Sequence, residues 1–366
     1  MITKSAIRAE AERLFAAFQA AGAVPVDADI LLPAETLLDL YGEDIRGRAY
    51  TTRDPLQGEM MLRPDFTVPV VQAHMAHGAD PARYCYMGEV FRKQEHSGNK
   101  ASEYLQVGFE VFDRTAPEAA DAEVFAIFFN LLTALDVKPV TGDIGILMAA
   151  VQGVATTERR KGALLRHIWR PNRFRALLDR FAGRAPMPTA RVALLDRLAS
   201  GTPEALIAAA GPLIGLRAPE DIAERAAALI EDAHTKPIAA PEAALLYDLL
   251  ALQAPAQAAL AHLRGITFML PAIEPAVDRF AARLDALTRR GIDVSRLPFE
   301  ASLGRTSMEY YDGFTFSFLA ANELPPVASG GRYDALTAVL GQGRSIPAVG
   351  GVIRPALVVQ LLAGKT

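Results

Sequence analysis

An α+β fold, with a largely antiparallel sheet flanked by helices, is the class that three features of the chain predict. Strand-like runs are paired as a hairpin instead of alternating one by one with helices. Amphipathic or buried helical segments flank those runs, and a long stretch of different texture interrupts the pattern.

Each element follows from local pattern. Residues 5–20 place Ile7, Ala11, Leu14, Phe15 and Phe18 on one face before Gly22, so an amphipathic helix opens the chain. The apolar runs RYCYMGEVF and EYLQVGFEVFD, separated by RKQEHSGNKAS, read as two antiparallel strands joined by a long loop. The stretch DAEVFAIFFNLLTAL (121–135) is apolar on nearly every side and predicts a buried helix capped by Asp121. A strand is expected near 143–149. From about 152 to 265 the chain turns arginine-rich and then alanine- and leucine-rich, broken at Pro203, Pro212, Pro219, Pro237 and Pro241, as an inserted helical region would be. Val277, Phe280, Leu284 and Leu287 restore a regular helical face, and FTFSFLA (314–320) has the aromatic and β-branched content of a strand. The expected organisation is therefore a core in two parts, 1–151 and 266–366, with a mainly helical insertion at 152–265.

Composition narrows the function. With 366 residues, 51% of them hydrophobic, the chain can bury a substantial core. Its 38 basic and 42 acidic side chains give a net charge of -4, which offers no overall attraction for a nucleic-acid backbone. Cys85 is the only cysteine, so neither an internal disulfide nor a thiolate metal cluster can form, as befits a reducing compartment. The opening MITKSAIRAEAERLF lacks a signal-peptide core, and no run reaches the ~18 apolar residues of a membrane span, so a cytoplasmic location is expected.

Three further signals carry little. The terminal AGKT lacks the upstream glycine of a phosphate loop, Val359 standing in its place. His74 and His77 have helical spacing but no third ligand, and read as core or surface histidines, so no metal is expected. The cluster Arg159, Arg160, Lys161, Arg166, Arg170, Arg173 and Arg175 reads first as a solvated helix face, with a nucleic-acid or protein interface as alternatives.

The informative residues are spread along the chain. Arg63 and Asp65 flank Pro64 in MLRPDFT (61–67), which ends at Thr67. Gln106 and Glu110 share one face of an extended strand, because side chains alternate with period two, and Gly108 lies between them. A carboxylate and an amide on that face suit a ligand ammonium group; the plain alternative is a solvent-facing polar strip. Glu309, Tyr310 and Tyr311, then SGGRYDAL (329–336), bring phenols and glycines together where close backbone approach lets a small ligand pack against the sheet.

Taken in order, these segments resemble the catalytic domain of class II histidyl-tRNA synthetases over residues 1–150 and about 270–358. ILLPAETLLDLYG is similar to the first class II motif, in which a helix and a proline, here Pro33, build a dimer interface. FRKQEHSGNKASEYLQVGFE resembles the second motif, and SIPAVGG the start of the third. The resemblance implies a class II synthetase-like fold. It places Asp65, Thr67, Gln106 and Glu110 where that family holds the amino group of histidine, and Tyr311 and Tyr333 where it lines the imidazole pocket. At position 65 an aspartate replaces the family's glutamate.

The ATP side departs from the family. Leu357 stands where the third motif has the arginine that stacks on adenine, with Arg354 three residues earlier. Arg92 of the second motif survives as a vestige of that side, but Gln94 replaces an acid and Lys100 an arginine, and lysine does not reproduce a bidentate clamp. Thr306 falls where histidyl enzymes carry a charge-stabilising arginine. Arg305 is one residue off, which in a strand would point to the other face. Loss of one such group typically costs ~10²- to 10³-fold in rate. The chain also stops eight residues after Val358, which on this resemblance leaves no anticodon-binding domain and implies no tRNA substrate.

A synthetase core that keeps its amino-acid pocket while lacking the ATP-binding side chains is similar to the regulatory subunits of short-form ATP phosphoribosyltransferase. That resemblance implies a chain with no catalytic residues and no cofactor of its own. It implies a homodimer assembled with short catalytic subunits, typically as a hetero-octamer, and L-histidine as feedback effector. Two alternatives stay open: a truncated synthetase that still makes histidyl-adenylate, and a free-standing histidine sensor.

Overall fold

The computed structural model describes residues 2–41, 45–93, 101–215, 217–305, 310–321 and 324–364. Gln94, Lys100, Thr306 and Glu309 lie outside the described residues. The chain opens with α1 (Lys4–Ala20), capped by Thr3, whose hydroxyl accepts from the Ala6 amide at 3.2 Å. It continues through β1 (Val24–Pro25), β2 (Leu31–Pro33), α2 (Ala34–Tyr41), α3 (Ile45–Arg48), β3 (Thr51–Asp54), β4 (Gly58–Leu62) and α4 (Thr67–His77). The expected hairpin is β5 (Ala82–Phe91) and β6 (Glu103–Phe112), followed by α5 (Pro117–Leu132), β7 (Val137–Asp143) and α6 (Ile144–Gly153). Five helices come next: α7 (Glu158–Arg166), α8 (Pro171–Phe181), α9 (Thr189–Ala199), α10 (Pro203–Ala209) and α11 (Pro219–His234). The remainder is α12 (Ala240–Ala251), β8 (Gln253–Pro255), α13 (Ala256–Ile266), α14 (Glu274–Arg289), β9 (Pro298–Glu300), β10 (Phe314–Ala320), β11 (Ala328–Arg332), α15 (Asp334–Leu340), β12 (Ala348–Ile353) and α16 (Pro355–Ala363).

Two compact units result, Met1–Leu147 with Leu250–Thr366, and Met148–Leu249. The second boundary falls earlier than the 265/266 expected from texture. The reason is that β8 pairs with β9, and α13 packs on α14 within the sheet-containing unit.

The main sheet of that unit runs β1-β5-β6-β12-β11-β10-β7-β9-β8. Its pairings are antiparallel except β1 with β5 and β7 with β9. A smaller sheet, β2-β4-β3, packs Leu32 and Met61 against Leu37 of α2 and Val68 of α4. Behind the main sheet, Phe18 of α1 meets Phe109 at 5.3 Å and Phe128 of α5 at 5.4 Å. Phe125 of α5 packs on Phe314, Phe316 and Phe318 of β10. The alternation of β6 thus sends Phe109 into this aromatic core and leaves Gln106, Gly108 and Glu110 on the opposite face.

Two local expectations are corrected. Asp121 is not a cap but lies inside α5, which begins at Pro117, and its buried carboxylate accepts from Arg332 and Arg283. The strand expected near 143–149 ends at Asp143, and the apolar run that follows is α6, since a short apolar run suits either state.

The other unit is helical, with Leu164, Phe174, Leu178, Phe181 and Leu246 buried in its core. Among the described residues no helix is long and apolar enough to cross a membrane.

Candidate functional site

Hairpin register builds the centre of the site. Tyr86 of β5 pairs with Gly108, Tyr84 with Glu110, and Gly88 with Gln106. On the other side of β6, Gly350 of β12 pairs with Glu110. Glycine is required at two of these positions for space: a Cβ on Gly108 would stand 2.1 Å from the Tyr86 ring, and one on Gly350 would stand 1.4 Å from Oε2 of Glu110. The double glycines of β11 and β12 serve both faces. Gly331 and Gly350 make room for Tyr311 and Glu110, whereas Gly330 and Gly351 make room for Phe316 in the aromatic core.

Glu110 is buried, with 1% of its surface exposed. The Tyr86 hydroxyl donates to its Oε1 at 2.8 Å, and the Tyr333 hydroxyl to its Oε2 at 2.6 Å. Burial pushes its carboxyl up to about 8; the two phenols oppose this and the charge of Asp65 adds to it. Tyr86 and Tyr333 are held well above the usual phenol range, first by burial and then by the Glu110 charge.

Around this pair the other expected residues converge. The Thr67 amide donates to Oδ1 of Asp65 at 3.1 Å, and the Thr67 and Tyr310 hydroxyls lie 3.2 Å apart. Tyr310 packs edge-on against both Tyr311 and Tyr333, with ring centroids 4.9 and 6.0 Å apart. Asp65, Thr67, Gln106, Tyr311 and Tyr333 are all buried. Neither amide atom of Gln106 has a hydrogen-bond partner among the described residues, an expensive state for a buried side chain.

Sequence reading missed Tyr86, which bonds Glu110 directly, and underused Tyr310. The signal for Tyr86 was its place on the first strand of the hairpin, opposite Gly108 of the return strand.

The surroundings are built by arginines with distinct jobs. Arg63 stacks on Phe66 at 4.0 Å and donates to the carbonyls of Glu89 and Ala28, holding the loop that carries Asp65. Phe66 in turn stacks on Tyr86 at 4.3 Å. Arg92 donates through Nε to the carbonyl of Pro64 at 2.8 Å and lies over the Tyr104 ring. Arg354 sits at the head of α16, not within it, and donates to the Pro326 carbonyl. Burial lowers the Arg354 pKa and the nearby Arg92 charge acts in the same direction, while Tyr104 and Tyr311 oppose it. Leu357 is half-buried on α16. Arg305 is buried in a turn, so strand parity does not govern where it points.

His74 is buried and stacks on Phe112 at 3.8 Å, with Nδ1 3.1 Å from the Tyr84 hydroxyl. Among the described residues no group of three potential metal ligands converges.

Comparison with known proteins places the whole chain in a family. The family model for histidyl-tRNA synthetase matches residues 3–254 and 222–356. The ATP phosphoribosyltransferase regulatory subunit of Allorhizobium ampelinum is 32% identical over 347 residues, covering 91% of this chain and 92% of that one. The protein of the same name from Mesorhizobium japonicum is 32% identical over 378 residues, covering 94% of each. Among solved structures, an ATP phosphoribosyltransferase regulatory subunit/histidyl-tRNA synthetase from Bacillus halodurans has a TM-score of 0.68 at 21% identity, covering 98% of this chain and 79% of that one. A histidine--tRNA ligase subunit from Alicyclobacillus acidocaldarius has a TM-score of 0.61 at 22% identity, covering 99% and 94%. With the fold matched by the structures and nearly the whole length matched by the relatives, the chain belongs to the histidyl-tRNA synthetase-like family of ATP phosphoribosyltransferase regulatory subunits.

Proposed function

We propose that this chain senses L-histidine and transmits its feedback to a short catalytic ATP phosphoribosyltransferase subunit, without forming histidyl-adenylate itself. The observation that carries this reading is the buried group of acceptors on one face of β6. There Glu110, the Oε1 of Gln106 and the neighbouring Asp65 gather behind Tyr311 and Tyr333.

An amino acid fits such a group. Its ammonium takes Glu110, Asp65 and the Gln106 oxygen, with Thr67 fixing Asp65, and each charge-assisted hydrogen bond contributes ~1.5 to 3 kcal/mol. The imidazole lies against Tyr311 and Tyr333. Arg354, which neighbours Tyr311, supplies positive charge for the carboxylate. On this reading Arg92 has become a positioning group for the Asp65 loop, while Leu357 provides no cation for a triphosphate.

The active assembly is then a homodimer of this chain joined to short catalytic subunits as a hetero-octamer. Histidine acts by favouring a less active arrangement, and no tRNA is engaged. A ligand shifts such an equilibrium only through its differential affinity for the states, with couplings typically of ~1 to 3 kcal/mol.

The test is co-purification with a short catalytic subunit, followed by phosphoribosyl transfer with and without histidine, using wild type and Glu110→Ala. Expected are complex formation in both and histidine inhibition in wild type alone. Failure to assemble, or inhibition unchanged in Glu110→Ala, overturns the reading. So does histidine-dependent exchange of pyrophosphate into ATP at an ordinary enzymatic rate, ~1 to 10³ s⁻¹.

A further inference from the structure

The helical unit carries a second polar site that the histidine reading leaves unused. A cavity of about 410 Å³ is walled by α7, α8, α9 and α11. Arginines from all four helices line it, six against three carboxylates.

Two of those carboxylates are already committed. Asp232 accepts from Arg160 through one oxygen and from Arg191 through the other, and Asp221 accepts from the Ala218 amide at the start of α11 at 3.0 Å. Arg160 is largely occupied, since it also donates to the carbonyls of Asp232, Lys236 and Thr235. Glu224 is thus the remaining acid facing Arg180, Arg166, Arg159 and Arg225.

Two donors confirm the surplus. The Nε atoms of Arg180 and Arg191 are buried and have no hydrogen-bond partner among the described residues. Leaving such donors unmade is costly, and crowding like charges adds to the cost. Burial lowers the Arg180 pKa, and the charges of Arg191 and Arg160 act in the same direction, while Asp232 opposes them. An anion seated in the cavity would offset the crowded guanidinium charges.

We propose that this cavity binds a small phosphorylated anion, with Arg180 and Arg191 gripping the phosphate from the buried side and Arg166 and Arg225 from the rim. Planar guanidinium forks match phosphate oxygens bidentately, which lysine does not. The volume suits a compact ligand, because small-molecule sites span ~300 to 1,000 Å³. A compact, half-open cavity in a chain of net charge -4 favours such an anion over an extended nucleic-acid backbone.

The experiment titrates inorganic pyrophosphate into the full-length protein by calorimetry, at low and raised salt. Saturable binding is expected, weakened by salt. Arg180→Gln and Arg225→Gln should each weaken it about tenfold, the loss of one charge-assisted hydrogen bond. Arg175→Gln, on an exposed position of α8 that does not line the cavity, should leave it unchanged. Thermal melts report folding; if Arg180→Gln does not fold, the exposed Arg225→Gln and Arg166→Gln decide. Absence of saturable binding, or equal affinity in wild type and these variants, overturns the proposal. A short oligoribonucleotide that outcompetes pyrophosphate and is weakened by the same variants would replace it with a nucleic-acid site.

Discussion

Gly350 lies directly across the β6–β12 ladder from Glu110, and a Cβ there would stand 1.4 Å from Oε2 of that carboxylate. The site therefore depends on a missing side chain as much as on those present. Gly350→Ala should expel Glu110 from its place between Tyr86 and Tyr333. The expected cost is about 1 to 3 kcal/mol of stability, with loss of histidine binding. In a Glu110→Ala background the same substitution should cost less, leaving mainly the contact with the Phe109 carbonyl at 2.8 Å. A double-mutant cycle by urea unfolding measures the coupling, and strict additivity would refute it.

Protonation of Glu110 supplies the second prediction. Its carboxyl is pushed up to about 8 by burial, so the free protein at neutral pH holds it mainly neutral. Because the folded pKa exceeds the ordinary ~4.3, its contribution to stability is present below that value and fades as pH rises through about 8. A ligand ammonium needs the charged form, so histidine binding should release a proton and tighten as pH rises toward 8. Below that point each pH unit costs about tenfold in affinity. Calorimetry in buffers of different ionisation enthalpy detects the proton, and Glu110→Gln should abolish it. Equal heats in all buffers for wild type would count against the mechanism.

Tyr86→Phe separates hydrogen bonding from packing. The ring stacks on Phe66 and lies over Gly108, so phenylalanine keeps the shape and loses only the donor to Oε1. Stability should fall by about 1 kcal/mol. Since that donor holds the Glu110 carboxyl down, its removal raises the pKa further. The affinity profile should shift to higher pH, with a larger loss at pH 7 than at pH 9. A uniform loss across pH would assign Tyr86 to packing alone.

The sequence made the hairpin legible because apolar runs on either side of a polar loop leave few pairings, and period two alone put Gln106 and Glu110 on one face. Tyr86 stayed hidden because the loop is too long to set the register, and an aromatic in RYCYMGEVF reads as core. Strand β7 was obscured by Pro139 and Gly142, which read as breakers, while the following ILMAAV suits strand or helix. The role of Asp121 was out of reach locally, since its partner Arg332 lies 211 residues away. The residues of the proposed histidine site were legible only through motif order, because aspartate, glutamine and tyrosine singly occur everywhere.

That same long-range pair gives the last prediction. Asp121 of α5 accepts from Arg332 at 2.7 Å and from Arg283 of α14 at 3.2 Å, and Arg283 also donates to Asp143 of β7. All four groups are buried, so removing the central acid leaves Arg332 with Asp334 alone and Arg283 with Asp143 alone as counter-charge among the described residues. Breaking a buried pair from one side typically costs ~3 to 5 kcal/mol, and Asp121→Ala should fall in that range by urea unfolding. Arg13→Ala, which breaks the surface pair of exposed Arg13 with partly covered Glu10, should cost about 1 kcal/mol or less. The effect should also reach the site, because Arg332 immediately precedes Tyr333, whose hydroxyl holds Glu110. Histidine affinity of folded Asp121→Asn should therefore drop although Asp121 does not bond Glu110. Wild-type affinity in that variant, together with wild-type stability in Asp121→Ala, would show that the network neither supports the fold nor sets the position of Tyr333.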